Sequence, residues 1–276
     1  MNVKTTNLSS KQCYSYLIAH DFEPLRLEIQ SSFPNYLLSS ELSPQDIAMQ
    51  AGQKILDAGC GTGLLSRFLK ENNSNIDFSV DAIDLSDIQL AYGKMQIKGR
   101  PLYNGINFQK KSLLDVEKNK YDKVFCRFVF QHLLNPQEVA DALKQSLKPG
   151  GQLIIIDMDG VINGLKTSNT NLLKQLKIIE ENTNFDCEVG KKITNYLEIS
   201  GFKNISVDTT KISFSDNMER VHEAWLYHQR FYHSKDMLEK LFSTEETMEF
   251  INNYCMEVVN PHSELEYTKY IFRATA

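Results

Sequence analysis

The chain has 276 residues, 42% hydrophobic and 24% charged, which is enough apolar material for a full globular core and argues against extensive disorder. Its formal net charge of -5 and pI near 5.7 weigh against a nucleic-acid partner, because polyanion binding draws on a basic surface. The five cysteines, Cys13, Cys60, Cys126, Cys187 and Cys255, form no C-x-x-C pair and read as reduced thiols; no aliphatic run exceeds residues 153–156, so a cytoplasmic location with no membrane partner is expected.

Taken in chain order, residues 24–30 have helical spacing, and spacing alone packs Leu25 and Ile29 inward and leaves Arg26 in solvent. Residues 54–58 read as a short buried strand, and Leu64, Leu65, Phe68 and Leu69 as the apolar face of a following helix. Between them run Asp57-Ala58-Gly59-Cys60-Gly61-Thr62-Gly63. Glycine at such a crossing permits positive φ and leaves no Cβ between the turn and a ligand. The helix behind it directs unsatisfied N–H groups and a positive dipole end into the same space, which suits a carboxylate or a phosphate.

Residues 76–83 form a second strand that ends in Asp84-Leu85-Ser86. An acid about twenty residues past a glycine turn accepts hydrogen bonds from ribose hydroxyls in nucleotide-binding α/β folds. Its alternative is to cap the helix over 86–95, a task equally open to Ser86 or Asp87. A third strand follows at 106–110, a fourth at 121–127, a helix carrying Val139, Leu143 and Leu147, a Pro149-Gly150-Gly151 turn, and a fifth strand at 152–157. This alternation implies a parallel sheet with helices on both faces and ligands beyond the carboxyl ends of the strands, where Asp57, Asp84, Ser112, Arg127 and Asp157 fall.

Downstream, Gly201-Phe202 turns into a strand and residues 265–272 alternate as the last one, with helical spacing between them at 217–232 and 244–258. The aromatic stretch from Trp225 to His233 suits either ordinary core or a face for a planar or cationic ligand. His222, His228 and His233 lack the paired spacing with a carboxylate that zinc motifs carry, so no metal is expected.

The glycine pattern departs from the dinucleotide fingerprint, since Leu64 stands where its last glycine belongs. It resembles instead the acid-x-Gly-x-Gly-x-Gly motif of class I S-adenosylmethionine-dependent methyltransferases of the small-molecule type. The resemblance spans residues 54–159 and includes Tyr121-Asp122-Lys123-Val124 for the family's Phe-Asp-x-Val and the Pro-Gly-Gly turn; Gly201-Phe202 extends it downstream. It implies an α/β, Rossmann-like, seven-stranded, mostly parallel sheet with an antiparallel last strand and helices on both faces. It also implies a helical cap over 1–50 and a methyltransferase domain over 51–276, with a helical lid inserted at about 215–260 between the last two strands.

Carried over residue by residue, the resemblance places Asp57, Gly59, Cys60 and Gly61 at the cofactor's amino-acid end and Asp84 with Leu85 at its ribose. Ser112 and Leu113 fall on the adenine loop, with serine where the family usually has an acid and Asp115 as the alternative in a slipped register; Arg127 leaves strand four. Tyr16 and Arg26 match a tyrosine and a helical Arg-Leu-x-x-Gln that fold over the methionyl end, the arginine pairing its carboxylate.

The implied chemistry is in-line attack of an acceptor on the sulfonium methyl of S-adenosylmethionine, leaving S-adenosylhomocysteine, with the protein supplying alignment and desolvation. His132 is the candidate catalytic base, its alternative being a structural residue at a helix start, and Asp157 and Asp159 are further candidates for orienting substrate. Arg127-Phe128-Val129-Phe130 replaces the Asn/Asp-Pro-Pro-aromatic motif of the branches that methylate nucleic-acid amines. A small-molecule acceptor is therefore expected, with a protein methyltransferase or a non-catalytic cofactor-binding regulator as alternatives. The acceptor's identity and the oligomeric state are not encoded in any pattern.

Overall fold

The computed structural model describes residues 20–276. A cap of short helices comes first: α1 (Glu23–Gln30), a 3-10 turn at Pro34–Tyr36, α2 (Leu38–Glu41) and α3 (Pro44–Ile47). The strand–helix alternation follows as β1 (Lys54–Ala58), α4 (Leu64–Asn72), β2 (Ser79–Asp84), α5 (Asp87–Ile97), β3 (Ile106–Lys110), β4 (Tyr121–Arg127), α6 (Pro136–Ser146) and β5 (Leu147–Asp159). The remainder is β6 (Leu165–Lys166), α7 (Thr170–Asn182), α8 (Gly190–Ile199), β7 (Lys203–Ser213), α9 (Asn217–His233), α10 (Lys235–Leu238), α11 (Thr244–Val259) and β8 (Glu264–Thr275).

The strands order as β3-β2-β1-β4-β5-β8, with β1 to β5 mutually parallel and β8 antiparallel to both β5 and β7. Period-two alternation sends neighbouring residues to opposite faces. Leu56, Val124 and Ile155 pack under α6 and α8 with Val139, Leu143 and Ile193, whereas Ile55, Phe125 and Ile154 pack under α4 and the cap with Leu65, Leu69 and Leu42. A third core lies beneath α9 and α11, where Tyr227, Phe231, Phe250 and Tyr254 meet Met158 and Tyr267.

Three boundaries differ from expectation for local reasons. Residues 76–78 precede β2 because the Ile76 N–H bonds back to the Asn73 carbonyl, closing a turn. The Pro149-Gly150-Gly151 turn is absorbed into a long β5 whose register shifts between Tyr121 and Lys123 on its partner. β6 is a short eighth strand: it pairs Leu165 with Leu265, on the start of β8, while β5 pairs with the remainder.

Candidate active site

A cavity of about 840 Å³ opens beyond the carboxyl ends of β1, β2, β4 and β5. That is where open α/β sheets bind ligands, and the volume falls in the range of roughly 300–1,000 Å³ usual for small-molecule sites.

Its floor is the glycine turn. The N–H groups of Gly59 and Cys60 both donate to the Ile83 carbonyl, drawing the tip of β1 onto β2. The Gly61 N–H donates to Oδ2 of Asp84 at 2.9 Å, and the Ser86 N–H to Oδ1 at 2.9 Å. Burial pushes the Asp84 carboxyl above its ordinary range, and these amides offset part of that shift. Gly59 has φ of +72°, and a Cβ there would stand 2.5 Å from Val129 Cγ2, so the turn and the exit of β4 approach too closely for a side chain. Asp57 faces the cavity from beneath the turn and accepts from Ser66 Oγ at 2.6 Å and Ser66 N–H at 3.1 Å, which ties α4 to β1. Burial drives Asp57 up to about 6 despite those bonds.

Helix α1 closes over this floor. Glu28 Oε1 accepts from Thr62 Oγ1 and from Arg67 Nη2, both at 2.6 Å. That latch turns Arg26, Leu27 and Gln30 toward the cavity. Arg26 is accordingly buried at 5% exposure and Leu25 exposed at 48%, the reverse of what spacing alone gave, because α1 rests on the polar glycine turn rather than on an apolar layer. The Arg26 guanidinium binds both oxygens of Glu23, at 2.7 and 2.6 Å, and Oε1 of Gln30. Arg127 is likewise engaged: it binds both oxygens of buried Glu41, at 2.6 and 3.2 Å, and donates to the Tyr36 carbonyl.

The opposite wall is strained. Phe128, the residue after β4, has φ of +56°, and Ile162, after β5, has φ of +84°. A β-branched residue in that region is an outlier costing on the order of 1–3 kcal/mol. Tyrosines of α9 and α11 hold it there: the Ile162 N–H donates to Tyr227 Oη at 3.0 Å, and Tyr254 Oη donates to the Ile162 carbonyl at 2.8 Å. Tyr227 Oη lies 2.8 Å from Tyr267 Oη, and Tyr267 and Tyr36 both donate to buried Glu223. Burial raises Glu223 to about 7.

His132 also lines the cavity, edge-on to Phe185 with ring centroids 5.2 Å apart. Burial, reinforced by the nearby Arg230 and Arg26 cations, lowers its pKa to about 3, so the imidazole is neutral at physiological pH. From α9, Arg230 reaches the same wall, its Cζ 5.2 Å from the centre of the Tyr227 ring.

Residues 56–153 match the methyltransferase domain family. Those residues contain the glycine turn, Asp84, Arg127 and His132. They form a class I S-adenosylmethionine-dependent methyltransferase domain. S-adenosylmethionine is the cofactor of that class. The chain is 30% identical over 141 residues to a ubiquinone biosynthesis O-methyltransferase of Dechloromonas aromatica, a match covering 49% of this chain and 51% of that protein. The chain spans about half or less of the length of the first curated relatives it matches.

Among solved structures it resembles mycolic acid cyclopropane synthase CmaA1 complexed with SAH and CTAB (TM-score 0.59, 14% identity, 87% of this chain and 84% of that one). It also resembles a Haemonchus contortus phosphoethanolamine N-methyltransferase 2 in complex with S-adenosylhomocysteine and phosphomonomethylethanolamine (TM-score 0.53, 18% identity, 91% and 52%). At those identities the likeness is one of fold.

Within the methyltransferase domain and its cap, Arg26, Asp57, Gly59, Cys60, Gly61, Asp84, Leu85, Leu113, Arg127 and His132 all line the cavity. Tyr16 lies outside the described residues. Ser112 stands off the cavity wall: its hydroxyl accepts from the Leu114 N–H and caps the 3-10 turn Leu113–Asp115. Helix α5 is capped by Ser86, which leaves Asp84 to the glycine turn. Asp157 and Asp159 also stand away from the cavity, Asp157 accepting the Phe130 N–H at 2.9 Å and Asp159 the Gly190 N–H at 2.7 Å.

Sequence reasoning missed Tyr36, Phe128, Ile162, Phe185 and Arg230. No motif marks them, because each reaches the cavity through tertiary packing rather than through a pattern of neighbouring residues. In the aromatic stretch Tyr227 and Phe231 are core, and Arg230 is the residue that faces the cavity.

Proposed function

We propose that this chain transfers a methyl group from S-adenosylmethionine to a small-molecule acceptor, as a cytoplasmic enzyme. The observation that carries the reading is the Asp84 carboxylate, fixed by one backbone N–H on each oxygen and set beside a glycine turn that leaves no side chain in the way. Each oxygen keeps a lone pair for a ribose hydroxyl. Leu85 and Leu113 flank the adenine side, Gly59, Cys60 and Gly61 offer bare main chain to the amino-acid end, and Arg26 and Gln30 close over it from the cap.

When bound, the cofactor supplies an electrophilic methyl on a cationic sulfur. The chain's part is to exclude water with α1 and the lid and to present the acceptor from the wall of Phe128, Phe185 and Ile162. His132, neutral and buried, can accept a hydrogen bond from an acceptor hydroxyl or amine, which orients the nucleophile; the displaced proton leaves to solvent or a stronger base.

Calorimetry with S-adenosylhomocysteine tests the binding, and incubation of a cell extract with methyl-labelled cofactor tests the transfer. Label in the low-mass fraction supports the proposal, and label in a protein band selects a protein methyltransferase instead. Tight binding without any demethylated product would leave a non-catalytic cofactor-binding protein.

A further inference from the structure

Three arginines reach the cavity, and they are not equivalent. Arg26 carries Glu23 and Gln30, and Arg127 carries Glu41. Arg230 makes no hydrogen bond or ion pair among the described residues; its guanidinium rests over the Tyr227 ring, with the buried Glu223 carboxyl within Coulombic reach. It is half-buried on helix α9, where a guanidinium without an anion forgoes charge-assisted bonds worth more than neutral ones.

Its surroundings fix what would satisfy it. On the sheet, β2 and β1 carry Asp84 and the glycine turn, while β4 and β5 carry the wall that Arg230 faces, so it stands on the side away from the nucleoside end. That wall is apolar, built of Phe128, Met158, Val161, Ile162 and Phe185. One cation serves one negative charge, and the buried Glu223 carboxyl two helical turns before Arg230 on α9 opposes a second. A planar monoanion matches the fork of a guanidinium, whereas a dianionic phosphate would want a second uncommitted cation, and Arg26 and Arg127 are already paired with Glu23 and Glu41.

Resting on the methyltransferase reading, we infer that the acceptor is an apolar carboxylate, anchored by a two-bond contact of its carboxylate with Arg230 while its body lies against the Phe128–Phe185 wall. The carboxylate is the handle that sets the register of the molecule, and the neutral His132 meets it further along the same wall.

The test uses the chain saturated with S-adenosylhomocysteine and titrated with octanoate, octanamide, trans-cinnamate and cinnamamide. At least one carboxylate binds tenfold or more tightly than its own amide in the wild type. In Arg230→Met that preference falls to within twofold, and in Arg230→Lys part of it returns, while affinity for S-adenosylhomocysteine stays unchanged in both, which also shows that the variants are folded. The inference is overturned if neither carboxylate outbinds its amide, or if the preference survives in Arg230→Met. A tenfold loss of S-adenosylhomocysteine affinity in Arg230→Met would also overturn it, assigning Arg230 to the cofactor's own carboxylate and leaving the methyltransferase reading intact. Failure of the wild type to bind S-adenosylhomocysteine at all would instead sink that reading.

Discussion

The main-chain N–H of Gly61 donates to Oδ2 of Asp84 at 2.9 Å, joining the turn after β1 to the acid that ends β2. The acid therefore shapes the turn as well as facing the cavity. Asp84→Ala is expected to weaken S-adenosylhomocysteine binding by about 1–3 kcal/mol, the scale of charged hydrogen bonds, with Asp84→Asn intermediate because it keeps one acceptor oxygen. Calorimetry checks this; unchanged affinity would remove Asp84 from the site.

Glu223 sits in the opposite wall with its pKa raised by burial to about 7. A carboxyl raised in the folded state favours its protonated form there. Its contribution to stability is fully present below the unfolded value near 4.5 and is lost as pH rises through about 7. Glu223→Gln, which keeps an acceptor for Tyr36 and Tyr267, should stabilise the protein at pH 8 by on the order of 2–3 kcal/mol and change little at pH 4. Equal effects at both pH values in urea unfolding would refute the shift.

His132 has the opposite sign. With its pKa lowered from 6.5 to about 3, the neutral ring contributes stability above pH 6.5 that is lost as pH falls toward 3. His132→Asn should flatten the loss of thermal stability between pH 6.5 and 4, read by melting curves. In turnover, no acid limb from this residue should appear between pH 5 and 8. An activity profile whose limb near neutrality vanishes in His132→Asn would restore the ring as a general base.

Glu41 is shared by Arg127, at 2.6 Å, and Lys269, at 2.7 Å, and all three are largely buried. Burial alone would raise its pKa, and the two cations outweigh that and lower it. Glu41→Ala leaves two desolvated cations facing each other and is expected to cost about 3–5 kcal/mol of stability in chemical denaturation. A loss below about 1 kcal/mol would mean that water or neighbouring carbonyls compensate the pair.

Gly59→Ala places a methyl 2.5 Å from Val129 at φ of +72°, whereas Gly52→Ala, at φ of +80°, meets nothing within 4 Å. The second variant bears backbone strain alone, about 1–2 kcal/mol; the first adds the displacement of Val129, for about 2–4 kcal/mol in total. Equal costs in urea unfolding would show that the exit of β4 gives way freely.

Much of the cavity's floor was legible in the sequence because it is local. The Asp57–Gly63 run and the strand ending at Asp84 are short-range patterns, and the turn conformations and hydrogen bonds follow from residues adjacent in the chain or in neighbouring strands. Ser112 was assigned to the adenine loop by position, and its hydroxyl is instead taken by the Leu114 N–H, a competition between side chain and backbone that spacing does not reveal. Arg26 was drawn to the site by its motif, but its Glu23 partner three residues earlier fixes how it arrives there.

By itself the sequence determined the strand–helix alternation, the glycine turn and the acid after β2, since side-chain periodicity and backbone conformational freedom are properties of short segments. Only the tertiary structure decided which charges meet an opposite charge and which do not. Arg127 finds Glu41 86 residues away, Tyr36 finds Glu223 across 187, and Arg230 arrives at the cavity with no ion pair among the described residues. Burial and Coulomb pairing depend on distance in space, so the basicity of His132 and the charge of the acceptor wall exist only once the lid has packed against the sheet.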